Sequence, residues 1–330
     1  MNTRTFGPTG RDVSEIGLGT WQLGGGWGDV SESDALMTLQ AAYDGGVTFF
    51  DTADVYGDGR SETLIGQFLR QVPAARDGVF VATKLGRGGQ PGWPGNFTRD
   101  AVRAHTEASL QRLGVEALDL TQLHCVPTDV LKRGELFGWL AELKVEGKIK
   151  AYGASVESMD EAAYCVAHEG CAAIQIIFNL FRQKPIQTLF GPARRNGTAL
   201  IVRLPLASGV LAGKMSATTT FAADDHRNFN RDGQAFNVGE TFAGLPFPKA
   251  VALTEALRPF VPEGMTMAEF ALRWILDHPA VSTIIPGARN ADQVQRNLRP
   301  AALPPLGEEL HAKLAAFYAA EVAEHIRGPY

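Results

Sequence analysis

The chain has 330 residues, 45% of them hydrophobic, and carries 31 Lys+Arg against 36 Asp+Glu for a formal charge of −5. There is apolar material for one large core or two small ones, and no basic excess of the kind that nucleic acid or an anionic membrane surface demands. Three cysteines without a CxxC, seven histidines without HExxH spacing, no apolar run near a membrane span and no apolar N-terminal leader argue against a disulfide framework, a metal site and a membrane. The expectation is a soluble cytoplasmic protein, with the oligomeric state unknown.

In chain order, short apolar runs alternate with longer amphipathic ones. Strands are expected at 13–19, 49–53, 79–84, 118–124, 149–155, 173–178, 199–204 and 282–286. Helices are expected at 33–44, 61–70, 99–113, 130–146, 159–168, 186–195, 248–260, 267–277 and 291–298. Ser158 to Glu161 and Thr266 to Glu269 read as capping boxes, and Gly114 and Gly147 as helix stops. Residues 3–6 and 12–16, around Pro8-Thr9-Gly10, read as a hairpin that plugs one end of the sheet. Eight strand–helix units imply a parallel sheet that closes into a (β/α)8 TIM barrel over residues 1–330, with extra C-terminal helices; an open doubly wound sheet is the competing fold. The longest irregular stretch, 207–247, reads as a lid or binding loop.

Barrel chemistry sits at the C-terminal ends of strands. Asp51 ends the second expected strand, with Tyr56 in the turn after it; Lys84 ends the third and His124 the fourth. A lone Tyr, Lys or His at such a place is usually an amphipathic or solvated side chain. Three consecutive strands that deliver titratable groups to one face argue for proton chemistry. A phenol titrates near 10, so a neighbouring ammonium is expected to lower it toward use, with Asp51 positioning that ammonium.

The ordered set Gly17-Leu18-Gly19-Thr20-Trp21, Asp51-Thr52-Ala53 with Tyr56-Gly57, Ser61-Glu62, Thr83-Lys84, Asp119 through His124, Gly153-Ala154-Ser155, Gln175, Pro205-Leu206 with Gly209 to Lys214, and Ile285 to Arg289 resembles the aldo-keto reductases. The likeness runs the length of the chain and is nearest the bacterial and potassium-channel β-subunit-like branches. It implies a catalytic tetrad of Asp51, Tyr56, Lys84 and His124, and reduction of an aldehyde or ketone (or oxidation of the matching alcohol or sugar) with a nicotinamide cofactor.

The usual dinucleotide fingerprint is absent. Gln22 stands where a third glycine would follow Gly17 and Gly19, and Met215 replaces the Ser or Thr of a P-loop after Lys214. By resemblance, Gly19, Thr20, Trp21 and Asp51 border the cofactor, while Ser155 and Gln175 hold the carboxamide. Leu206, Gly209, Leu211 and Lys214 line the pyrophosphate; Gly287, Ala288, Arg289, Gln293 and Asn297 hold the adenosine end. Arg289 suits a 2′-phosphate, since guanidinium grips phosphate in a fork, which favours NADPH/NADP+ over NADH; its alternative is a surface charge at a helix start. Two positions depart from the family: Val156, where Asn is common, and Arg203, where many members carry an aromatic that stacks on the nicotinamide. Arg203 is expected against the cofactor. Trp21, Trp27, Tyr56, Trp93 and His124 are expected to wall an apolar or sugar-binding pocket, although Trp27 and Trp93 would serve equally as loop packing. Rival functions are a nicotinamide-binding regulatory subunit with little or no turnover, and a lyase or isomerase with Lys84 as a Schiff-base lysine.

Overall fold

Thr3–Thr5 (β1) and Asp12–Ser14 (β2) pair antiparallel, with Thr3 opposite Ser14. The computed structural model describes residues 1–25 and 30–330, so Trp27 lies outside the described residues. Eight parallel strands follow: Leu18–Gly19 (β3), Phe49–Asp51 (β4), Phe80–Leu85 (β5), Leu118–His124 (β6), Ile149–Ser155 (β7), Cys171–Ile177 (β8), Ala199–Arg203 (β9) and Thr283–Ile284 (β10). They are hydrogen-bonded in sequence order, and parallel bridges from Ile16 to Ile284 and from Gly19 to Gly287 join the last strand back to the first. The sheet is a closed (β/α)8 barrel, not the open alternative.

Two apolar layers hold it. Inside, Phe49, Phe80, Ala82, Leu120, Ala151, Ala173, Ala199 and Ile201 point to the axis, and the hairpin's Phe6 and Val13 pack beneath them. Phe6 is fully buried, with ring centroids 5.2 Å from Phe49 and 4.9 Å from Phe80. Burying one such phenyl stabilises the fold by about 1.5–3 kcal/mol. The hairpin therefore plugs the N-terminal end and leaves the other end free for chemistry. Outside, the helices pack on the opposite faces of the strands in a second, larger cluster.

Local chemistry sets the helix limits. Arg99–Leu113 starts on Thr98, whose side chain accepts from the Ala101 N–H, and stops at left-handed Gly114. Both expected capping boxes form, at Ser158 with Glu161 and at Thr266 with Glu269. Three expectations change. The run 13–19 is two strands, since Asp12–Ser14 pairs with the hairpin while Leu18–Gly19 pairs with β4. The helix expected at 130–146 is two, Thr128–Leu131 and Glu135–Val145, broken at Gly134 with φ of 83°. The helix expected at 186–195 likewise splits into Pro185–Thr188 and Phe190–Asn196. A C-terminal helix, Glu308–Phe317, is added after the barrel. Cys125, Cys165 and Cys171 are buried and free.

Candidate active site

At the C-terminal mouth, β4 and β5 bring Asp51 and Lys84 together. Lys84 Nζ donates to Asp51 Oδ1 at 2.6 Å, to the Thr52 carbonyl at 2.8 Å and to the Tyr56 hydroxyl at 3.2 Å. Its three protons are thereby spent, and burial leaves it 1% exposed. Burial opposes its charge, but Asp51, with Tyr56, holds its pKa above the usual value. The Asp51 carboxylate also accepts from Gln175 Nε2 at 2.7 Å across the barrel. That acceptor fixes the Gln175 amide, whose nitrogen also reaches Gln122 Oε1 at 3.3 Å.

Tyr56 takes its place from the turn. Gly57 sits at φ 63°, and a Cβ there would overlap the Gly24 carbonyl. Only glycine fits this close crossing of two loops. The ring stacks on Trp21 with centroids 5.9 Å apart and meets His124 edge-on at 6.2 Å. The Ser61-Glu62 pair fixes the strands behind it. Ser61 Oγ bonds Thr20 Oγ1 at 2.7 Å and accepts from Thr52 Oγ1 at 2.9 Å, while buried Glu62 accepts from Thr83 and from Arg112 Nε at 2.6 Å.

The protonation states differ from expectation at one point. Burial raises the Tyr56 pKa above 10 and outweighs the downward pull of Lys84. The phenol is held in its acid form. Because Lys84 donates to its oxygen, its own proton is free to serve another acceptor. His124 is pushed well below 6.5 by burial, then by Arg87, Lys84 and Arg203, so the ring is neutral. Its Nδ1 is buried without a hydrogen-bond partner.

These groups open into a cavity of 390 Å³. Gly19, Thr20, Trp21, Asp51, Tyr56, His124, Gln175, Arg203, Leu206, Gly209, Lys214, Gly287, Arg289, Gln293 and Asn297 all line it. Other expected residues do not. Leu211 and Ala288 are fully buried, because their side chains belong to the helix-facing core. Lys84 lies behind Tyr56. Trp93 is 52% exposed, with its indole N–H donating to the Cys125 carbonyl at 2.9 Å, so it is packing on the outer rim and not a pocket wall. Ser155 is 1% exposed at the end of β7, with its Oγ buried and unpartnered. Val156 turns its side chain into the core and gives its carbonyl to Arg203.

The far end of the cavity carries a cationic excess: Lys214, Arg227, Arg289, Arg296 and Arg299 line it, with Arg299 paired to Glu269 and Arg227 to Asp225. There, helix Ala291–Leu298 begins on Asn290, which caps the Gln293 N–H, while Gln293 Oε1 accepts from the Arg289 N–H at 2.8 Å. Asn297 Nδ2 donates to the Gly287 carbonyl at 3.1 Å. A helix start with arginines suits an anion. His124 at one end, with the unpartnered Ser155 Oγ buried next to it on the neighbouring strand, and this cationic end at the other, fit a long ligand with a polar head and phosphates.

Several residues on the cavity carried no sequence signal, Arg296, Arg299 and Glu240 among them. Glu240, in the irregular 207–247 stretch, reaches Arg87 at 2.7 Å and Arg203 at 3.2 Å. Burial opposes its charge, but Arg87 and Arg203 lower its pKa to about 2. Among the described residues, no helix is long and apolar enough to cross a membrane.

Residues 15–319 match the Aldo/keto reductase family. The chain is 33% identical over 301 residues to the aldo-keto reductase YhdN of Bacillus subtilis, covering 89% of this chain and 87% of that protein. It is 30% identical to a probable voltage-gated potassium channel subunit beta of Arabidopsis thaliana, covering 93% of each. It is 30% identical to an NADH-specific methylglyoxal reductase of Escherichia coli, covering 90% of this chain and 93% of that protein. The solved glycerol dehydrogenase AKR11B4 of Gluconobacter oxydans superposes with a TM-score of 0.79 at 29% identity, covering 98% and 97% of the two chains. With the barrel and the mouth geometry, these likenesses show that the chain belongs to the aldo-keto reductase family, in the branch shared by bacterial reductases and channel β-subunits.

Proposed function

We propose that this protein is an NADPH-dependent oxidoreductase that reduces an aldehyde or ketone, or oxidises the matching alcohol or sugar, with Tyr56 as the proton donor. The observation that carries this reading is the hydrogen-bonded line from Gln175 through Asp51 and Lys84 to the Tyr56 hydroxyl, which ends in the cavity. A nicotinamide held at the Gln175 and Ser155 end of the cavity would supply the hydride to the carbonyl carbon. As the C=O π pair moves onto oxygen, Tyr56 gives that oxygen its proton. The O–H bond of Tyr56 breaks, and the phenolate left behind sits 3.2 Å from the Lys84 ammonium. Asp51 keeps that ammonium charged and aimed. Neutral His124 orients the carbonyl with a ring N–H and adds no charge. Oxidation runs the same proton path in reverse.

Arg289 and the helix start behind it support a 2′-phosphate, hence NADPH over NADH. Trp21 and Tyr56 wall the substrate end. The test is oxidation of NADPH and NADH with a panel of aldehydes, ketones and sugars. Faster turnover with NADPH on at least one carbonyl is expected. The likeness to a channel subunit favours a second reading, in which the chain binds nicotinamide and regulates a partner; tight NADPH binding without turnover on any carbonyl would establish it.

A further inference from the structure

Arg203 ends β9 with its side chain buried at the wall of the cavity that Gln175, His124 and Tyr56 also line. Two of its three nitrogens are held from behind: Nη1 lies 3.2 Å from Glu240 Oε2, and Nη2 donates to the Val156 carbonyl at 3.2 Å. The third, Nε, is buried without a hydrogen-bond partner. A guanidinium anchored in this way cannot swing out to solvent.

Glu240 is shared: Arg87 takes its Oε1 at 2.7 Å and its Oε2 at 3.4 Å, so two guanidiniums divide one carboxylate. The next carboxylate, Glu157, binds Arg87 at 3.0 Å and makes no ion pair with Arg203. Burial and the neighbouring Glu240 raise the Glu157 pKa against the pull of both guanidiniums. By direct contact, Arg203 thus faces the cavity with only a share of one carboxylate behind it, while Glu157 pairs with Arg87 alone.

We propose that Arg203, with Glu240 as its positioning partner, discriminates the redox state of the bound cofactor. This rests on the nicotinamide reading of the cavity. The oxidised nicotinamide ring carries a positive charge and the reduced ring is neutral. Desolvated like charges a few ångströms apart repel strongly, whereas a guanidinium plane is attracted to a neutral π face. Arg203 therefore disfavours the oxidised form, speeds its departure and biases the site toward reduction. A neutral aromatic at this position would make no such distinction.

The test is equilibrium binding of NADPH and NADP+, followed by quenching of intrinsic fluorescence, with no substrate present. The unaltered protein is expected to hold NADPH about tenfold more tightly than NADP+, a 1.4 kcal/mol difference. Arg203→Gln should bring that ratio toward one, mainly by tightening NADP+. Arg203→Lys, which keeps the charge, should retain most of it. Glu240→Gln, which removes the counter-charge, should move the ratio the other way. If Arg203→Gln does not fold, the opposite shift in Glu240→Gln still decides the matter. Equal affinities in the unaltered protein, or a ratio indifferent to both positions, would overturn the proposal while leaving the cofactor site intact. Failure of the unaltered protein to bind either form would instead overturn the cofactor reading itself.

Discussion

In the proposed reaction the chemistry depends on Tyr56, whose setting favours one protonation state. Burial holds the phenol above its usual 10 despite Lys84. At neutral pH it is an acid ready to donate. Reduction should therefore stay level from about pH 6 to pH 9, with no fall from loss of the Tyr56 proton. Oxidation needs the phenolate, the minority form, so its rate should climb with pH across the same window. Steady-state profiles in both directions check this; a reduction rate that falls steeply between pH 7 and pH 8 would contradict it. Much of this residue-scale picture was legible in the sequence. Asp51, Tyr56, Lys84 and His124 stand where strand-end reasoning puts them. The direction of the Tyr56 shift was not, because burial is a property of the assembled mouth and outweighs the one charge that the sequence makes visible.

At the scale of elements, glycine geometry and strand pairing place those side chains. The 56–57 turn crosses residue 24 so closely that a Cβ on Gly57 would overlap the Gly24 carbonyl, and its φ of 63° disfavours any other residue. Gly57→Ala should cost roughly 1–3 kcal/mol of stability. It should also lower turnover by moving Tyr56 away from Lys84, which denaturant melts and steady-state rates on the same sample would show. Unchanged stability and rate would mean that the two loops separate freely. Helix Arg99–Leu113 and strands Leu118–His124 and Ile149–Ser155 were read to the residue, since caps and dense apolar runs mark them. Pro73–Gly78 was missed because six residues carry no period. Glu240 was missed for a similar reason. It sits in a loop whose order comes from tertiary contacts, such as Ser208 Oγ donating to the Glu240 carbonyl at 3.1 Å, and not from local pattern. The oddity of Arg203 was visible in the sequence; the carboxylate that anchors it was not.

The whole molecule divides its labour between its two ends: an apolar hairpin plug below, a polar mouth above. Buried and half-buried neutral histidines make that arrangement sensitive to acid. Burial lowers His226 and His278 to about 4, and His124 well below 6.5. Each is depressed in the folded state, so the unfolded chain takes up more protons between about pH 6.5 and pH 4. The stability they contribute is fully present above about pH 6.5 and is lost as pH falls toward 4. Each of the two that reach about 4 contributes on the order of 3 kcal/mol. The Tm should drop steadily from pH 7 to pH 4.5; a flat Tm over that range would mean that these rings take up protons without cost.

The central claim is that one phenol moves the proton while the rest of the mouth binds and aims. It is tested most directly by Tyr56→Phe, which removes a single oxygen and keeps the ring on Trp21. The measurement is single-turnover NADPH oxidation on a carbonyl that the unaltered protein reduces, with the NADPH Kd taken on the same preparation. The account predicts a rate loss of about 10²–10⁴-fold with the Kd within about twofold. Full activity in Tyr56→Phe would contradict it.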